Sequence, residues 1–119
     1  MGVLEQLGNT KTVGTADFDR EVLSAGGLVI VDFFAPWCPP CKRLEPELEL
    51  VAAELGERVK IVKVDVDQDE ELSLQYNVQQ IPNITFFRDG RVVDQSVGLM
   101  LKRDLLARIE RLSEQAVAK

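Results

Sequence analysis

Leu28-Val29-Ile30-Val31-Asp32-Phe33-Phe34, running on into Ala35-Pro36-Trp37-Cys38-Pro39-Pro40-Cys41-Lys42, decides how this chain folds. The first seven residues are β-branched, aliphatic or aromatic except for Asp32, and Gly26-Gly27 precede them. Such a nearly unbroken apolar run suits a strand buried on both faces, so a central parallel strand is predicted. Beyond Trp37 the pattern turns helical: Leu44, Leu48, Val51, Ala52 and Leu55 share one face, and Gly56 closes it. Pro46 lies inside that helix and predicts a kink. Val59 to Val66 is a second β-branched run, interrupted by Lys60 and Lys63, which completes a β-α-β unit.

Working outward, Glu70 to Tyr76 predicts a short helix, and Ile84-Thr85-Phe86-Phe87 a further strand after Gln79-Gln80-Ile81-Pro82-Asn83. Asp89-Gly90 is a hairpin signal, with Val92 to Val97 as the antiparallel return strand. Leu101, Leu105, Leu106, Ile109, Leu112 and Ala116 keep helical spacing, so one amphipathic helix closes the fold. Towards the other end, Phe18, Val22 and Leu23 after Thr15 predict a helix, and the stretch before it a short edge strand. The expected architecture is α/β: a central mixed β-sheet flanked by helices on both faces. Residues 1–119 read as one domain, with 1–10 an N-terminal extension or edge segment.

Composition narrows the function. The 119 residues are 45% hydrophobic and 29% charged with a formal net charge of −6, and the two signs of charge are interspersed. That is the balance of an ordinary folded protein, and nucleic acid and anionic membrane are poor partners for it. No segment approaches the roughly 20 apolar residues needed to span a bilayer. Met1 to Asn9 has neither the basic start nor the apolar stretch of a signal peptide, and Gln6 stands where a myristoylation motif wants Ser or Thr. With no leader trimmed, the expected compartment is the cytoplasm, and the expected state a monomer.

The two cysteines sit three positions apart, and histidine is absent. A disulfide closing so short a loop adds little stability, and a structural zinc site needs four ligands. The acidic run Asp65, Asp67, Asp69, Glu70, Glu71 lacks the glycine and terminal glutamate of a calcium loop. Neither a metal nor another cofactor is expected. The pair falls instead where a buried strand gives way to a helix, and a helix start offers unpaired N–H groups and partial positive charge that favour thiolate over thiol. Cys38, at the tip, is the expected nucleophile. Cys41, one turn in, is the expected buried resolving thiol, which attacks the mixed disulfide formed at Cys38. Redox chemistry outweighs a half zinc site in this context.

The stretch from Val31 to Lys42 resembles the thioredoxin family, with Cys-Pro-Pro-Cys in place of the usual Cys-Gly-Pro-Cys. The resemblance extends to Pro46, Lys63, Asp67, Ile81-Pro82, Asp89-Gly90 and Val97-Gly98, in order and spacing, over about Thr15 to Leu112. It implies a thioredoxin fold and a protein-disulfide reductase. It also implies a cis peptide bond before Pro82, beside the disulfide, and a shallow apolar rim of Trp37, Ile81, Pro82, Val97 and Gly98 that docks extended protein segments. The oxidised pair would be reduced again by another protein, a thioredoxin reductase.

Asp32 carries an expectation of its own, because a carboxylate buried in an apolar strand costs several kcal/mol unless it is protonated or partnered. Its pKa is expected to be raised. The resemblance implies that Asp32 accepts or relays the proton of Cys41, with Lys63 as its nearby electrostatic partner. Five departures from the family pattern are read from the sequence, the first being Phe34 in place of a frequent tryptophan. Pro39 removes one donor from the first helical turn, next to Pro40, and predicts a shifted redox potential and thiol pKa of open sign. Gln80 and Asn83 predict altered substrate docking. Leu101 occupies a usual N-cap position, so the last helix is expected to start elsewhere or to be poorly capped. Two other readings stand beside the reductase: a dedicated thiol donor or oxidant in an exporting pathway, which Cys-Pro-Pro-Cys also resembles, and a protein-docking scaffold with dispensable cysteines.

Overall fold

The computed structural model describes residues 10–117, with side chains as far as Ser113. Five strands form one sheet: β1 (Lys11–Thr12), β2 (Leu28–Phe34), β3 (Lys60–Asp65), β4 (Asn83–Arg88) and β5 (Arg91–Val97), in the order β1-β3-β2-β4-β5. β1 and β2 run parallel to β3, while β4 lies antiparallel to both β2 and β5. Four helices flank the sheet: α1 (Thr15–Phe18), α2 (Pro39–Leu55), α3 (Glu70–Gln75) and α4 (Lys102–Val117).

β2 is central because its side chains satisfy two cores at once. Leu28 and Ile30 pack with Leu44, Leu48 and Val51 of α2 and Leu105, Ile109 and Leu112 of α4. Val29, Val31 and Phe33 face the other way, onto Phe18, Val22, Val64, Leu72 and Phe87. The period of two along a strand makes this division, and burial on both faces explains the lack of polar alternation. Pro46 sits inside α2, which remains one continuous helix, its missing N–H leaving the Lys42 carbonyl without its helical donor. At the hairpin, Asp89 (φ 53°) and Gly90 (φ 80°) both take left-handed angles, which join β4 to β5 in a two-residue turn of matching twist.

Three expectations are refined. After α1 the chain continues as a π-helical turn over Asp19–Leu23, closed by the Ser24 N–H on the Asp19 carbonyl at 2.8 Å. This wider turn buries Val22 beside Phe18 and brings Glu21 inward to the ammonium groups of Lys60 (2.7 Å) and Lys11 (3.0 Å). Leu101 is exposed and precedes α4 instead of belonging to its core face; Ala116 lies outside the described side chains. The cap that Leu101 lacks comes from elsewhere: Glu47 Oε1, on α2, accepts the Lys102 backbone N–H at 2.7 Å, and Lys102 Nζ pairs with Glu54 at 2.8 Å. Glu47→Ala is therefore expected to destabilise the fold by about 1 kcal/mol, as loss of a helix cap does, in chemical denaturation.

Candidate active site

β2 ends at Phe34, the chain crosses Ala35-Pro36-Trp37, and α2 begins at Pro39 with Cys38 as its N-cap. Cys38 keeps extended angles (φ −91°, ψ 110°), and its Sγ accepts the Cys41 N–H at 3.3 Å. Pro39 and Pro40 fill positions where a missing N–H breaks no helical bond. Their effect falls on the sulfur: the Cys41 amide is the first in the helix able to reach it.

Cys38 and Cys41 are joined in a disulfide, with Cα atoms 5.2 Å apart. They are 3% and 2% exposed, so burial does not separate the two sulfurs. Position does, because Cys38 precedes the helix and receives its N–H, whereas Cys41 lies within the first turn. Ala35 joins them in one small cluster, against which Phe34, Val66 and Ile81 pack.

The Ile81–Pro82 peptide is cis, as the resemblance implied. Gly98, at φ +100°, donates its N–H to the Pro82 carbonyl at 2.8 Å, which ties the Val97-Gly98 turn to the proline loop. Trp37 is 66% and Val97 54% exposed, while Pro82 itself is buried. Trp37 and Ile81 line one shallow depression with Val66, Asp67 and Val78. Of the residues expected to form a rim, Ile81 packs on the cysteine pair, and the Val97-Gly98 turn is tied to the proline loop that follows it. Asp67 adds a contact that sequence reasoning did not assign: its Oδ2 accepts the Trp37 Nε1–H at 2.8 Å, holding the ring in place.

Asp32 lies beneath α2, on the sheet face it shares with Ile30. It is wholly buried, and among the described residues neither carboxyl oxygen has a hydrogen-bond partner. Burial raises its pKa from 3.8 to about 7, against the pull of the Lys63 ammonium and with a small addition from Glu45. Desolvation wins. Lys63 stands opposite Asp32 in the β2–β3 register, near it as expected, yet its Nζ pairs with Glu45 Oε2 at 2.9 Å and lies 4.8 Å from the centre of the Phe34 ring. It acts on Asp32 through space, and Glu45 is the neighbour that sequence reasoning missed.

Of the two substitutions expected to affect docking, Gln80 is exposed in the loop before Pro82. Asn83 is not a contact residue. It is buried, accepts the Thr85 hydroxyl at 2.7 Å, and belongs to an internal network in which Gln95 Nε2 donates to Thr85 at 2.9 Å. Inside a sheet its amide has to be satisfied internally, which removes it from the rim.

Comparison with known proteins agrees with this geometry. Residues 9–111 match the family model for thioredoxin. The chain is 49% identical over 87 residues to a thioredoxin of Chlamydia trachomatis, a span covering 73% of this chain and 84% of that relative. It is 45% identical over 100 residues to thioredoxin C-2 of Corynebacterium nephridii, covering 82% and 93%. To a thioredoxin of Bacillus subtilis it is 47% identical over 79 residues, covering 66% and 76%. With a disulfide capping the helix that follows the central strand and a family match across nearly the whole described chain, the protein belongs to the thioredoxin family and is a thiol-disulfide oxidoreductase.

Proposed function

We propose that this protein works as a single-domain monomer in the cytoplasm, reducing disulfides of other proteins, with Cys38 as nucleophile and Cys41 as resolving thiol. The Cys38 thiolate attacks one sulfur of the substrate disulfide, forming a mixed disulfide and expelling the other substrate sulfur as thiolate. Cys41 then attacks Cys38 Sγ, the internal disulfide forms, and the second substrate sulfur leaves. Two electrons pass to the substrate. Asp32 takes the proton that Cys41 must lose before it attacks, a task suited to a carboxyl poised at about 7. Lys63 tunes that acid by its charge.

The observation that carries the assignment is the Cys41 N–H directed at Cys38 Sγ from the first turn of α2, a donor that favours an anion on the N-cap sulfur. Substrates dock as extended segments on Trp37, Ile81, Val97 and Gly98, with hydrogen bonds to the backbone around Ile81-Pro82. A thioredoxin reductase returns the oxidised pair to the dithiol, and no bound cofactor takes part. No helix among the described residues is long and apolar enough to cross a membrane. Cys41→Ser tests the order of events: it is expected to accumulate mixed disulfides with substrate proteins through Cys38, visible as reductant-sensitive adducts. Adducts formed equally by Cys38→Ser through Cys41 would reverse the assignment.

A further inference from the structure

The buried acid beneath α2 has a cation within reach and no bond to it. Lys63 stands directly across the ladder from Asp32 on the same sheet face, in the geometry where a lysine and an aspartate ordinarily pair. Its Nζ is taken by Glu45 Oε2 at 2.9 Å, while both Asp32 oxygens lack a hydrogen-bond partner. Glu45 sits one turn beyond Cys41 on α2, so one helix carries both the resolving sulfur and the carboxylate that captures the lysine. Its side chain is 42% exposed and that of Lys63 18%, so the ion pair spans the boundary between the interior and water.

We propose that Glu45 is a positioning residue: by holding the Lys63 ammonium on the outer side of α2, it denies Asp32 a direct counter-ion and leaves that carboxyl free both to take up and to release the proton of Cys41. This rests on the assignment of Asp32 as the proton acceptor for Cys41. The charged and titratable groups around Asp32 are few. Lys63 faces it from β3, and Glu45 acts on it from α2, the helix that also carries Cys41. Ile84 stands opposite on β4, and α4 turns Leu105 and Ile109 into the same core. Among the described residues no other neighbour offers a counter-charge, so the direction in which Lys63 points decides whether the acid is paired.

Without the Glu45 charge, the flexible lysine stem allows the ammonium to swing inward, where a bare carboxylate in a low-dielectric site attracts it strongly. The test is Glu45→Gln, with the Asp32 carboxyl followed by carbon NMR in the oxidised protein, where the sulfurs do not titrate. The Asp32 midpoint is expected to fall by about one pH unit, a tenfold drop in proton affinity. The rising limb of the pH profile for disulfide reduction is expected to move with it. In a Lys63→Met background the same substitution is expected to move the midpoint much less, since the cation it would release is gone. An unmoved midpoint overturns the proposal, as does an equal displacement with and without Lys63, which would make Glu45 a simple repelling charge. Failure of the underlying assignment is separable: Asp32→Asn would then leave turnover unchanged whatever the titration shows.

Discussion

Cys38→Ser is expected to lower protein-disulfide reduction by a factor of roughly 10^4 or more, since a serine hydroxyl at the helix tip neither ionises near neutral pH nor attacks sulfur. The loss should sit in the chemical step and not in folding. Cys38 is an N-cap residue whose side chain accepts the Cys41 N–H, and serine performs that role well, so the variant is expected to keep its helix and melt cooperatively. The informative comparison is with Cys41→Ser, which keeps the attacking sulfur: it should complete one mixed-disulfide step and stop, whereas Cys38→Ser should not begin. Single-turnover kinetics on a disulfide-containing protein separate the two. Appreciable turnover by Cys38→Ser would undo the assigned roles and favour a docking scaffold with dispensable cysteines.

Asp32→Asn is expected to raise the stability of the oxidised protein by roughly 2 to 4 kcal/mol at about pH 9, and to change it little below about pH 4. The sign follows from the direction of the shift. The folded carboxyl titrates at about 7 and the unfolded one at 3.8, so between these values the native state holds a proton that the unfolded state gives up. Stability contributed by this group is complete below the lower value and is lost as pH rises through the upper one. An amide of nearly the same shape cannot ionise, so it escapes that loss. Denaturant unfolding over a pH series checks this, and parallel curves for the two proteins would show that burial does not penalise the charge. The same variant is expected to slow disulfide reduction by about 10- to 100-fold near neutral pH, the usual worth of one proton acceptor.

The parts of the molecule written in local pattern were legible from the sequence alone. β2 announced its two-sided burial by an unbroken apolar run, α2 by its stripe of Leu44, Leu48 and Val51, and the β4–β5 turn by Asp89-Gly90, residues that tolerate left-handed angles. The cysteine pair was legible because its chemistry depends on a junction that both neighbouring patterns define. What escaped is set by contacts between segments distant along the chain. The cap of α4 comes from Glu47, 55 residues away, and no spacing rule links them. Asn83 reads as a loop residue beside the proline, and only the alternation of β4 turns it inward to Thr85. Glu45 reads as one more charge on a helix surface. Its importance appears only once Lys63 is placed opposite Asp32 and seen to point the other way.

The span from Val97 to Lys102 is fastened at both ends, by the Gly98 N–H on the Pro82 carbonyl and by the Glu47 carboxylate on the Lys102 N–H. Between these two moorings Met100 is buried in the core, so the segment is anchored at its middle as well. If a polypeptide docks as proposed, these two bonds hold part of its platform in place beforehand, and more of the ordering entropy of the encounter falls on the visitor. On the proposed docking mode, selectivity among targets is expected to follow how readily each one unfurls a strand around its disulfide.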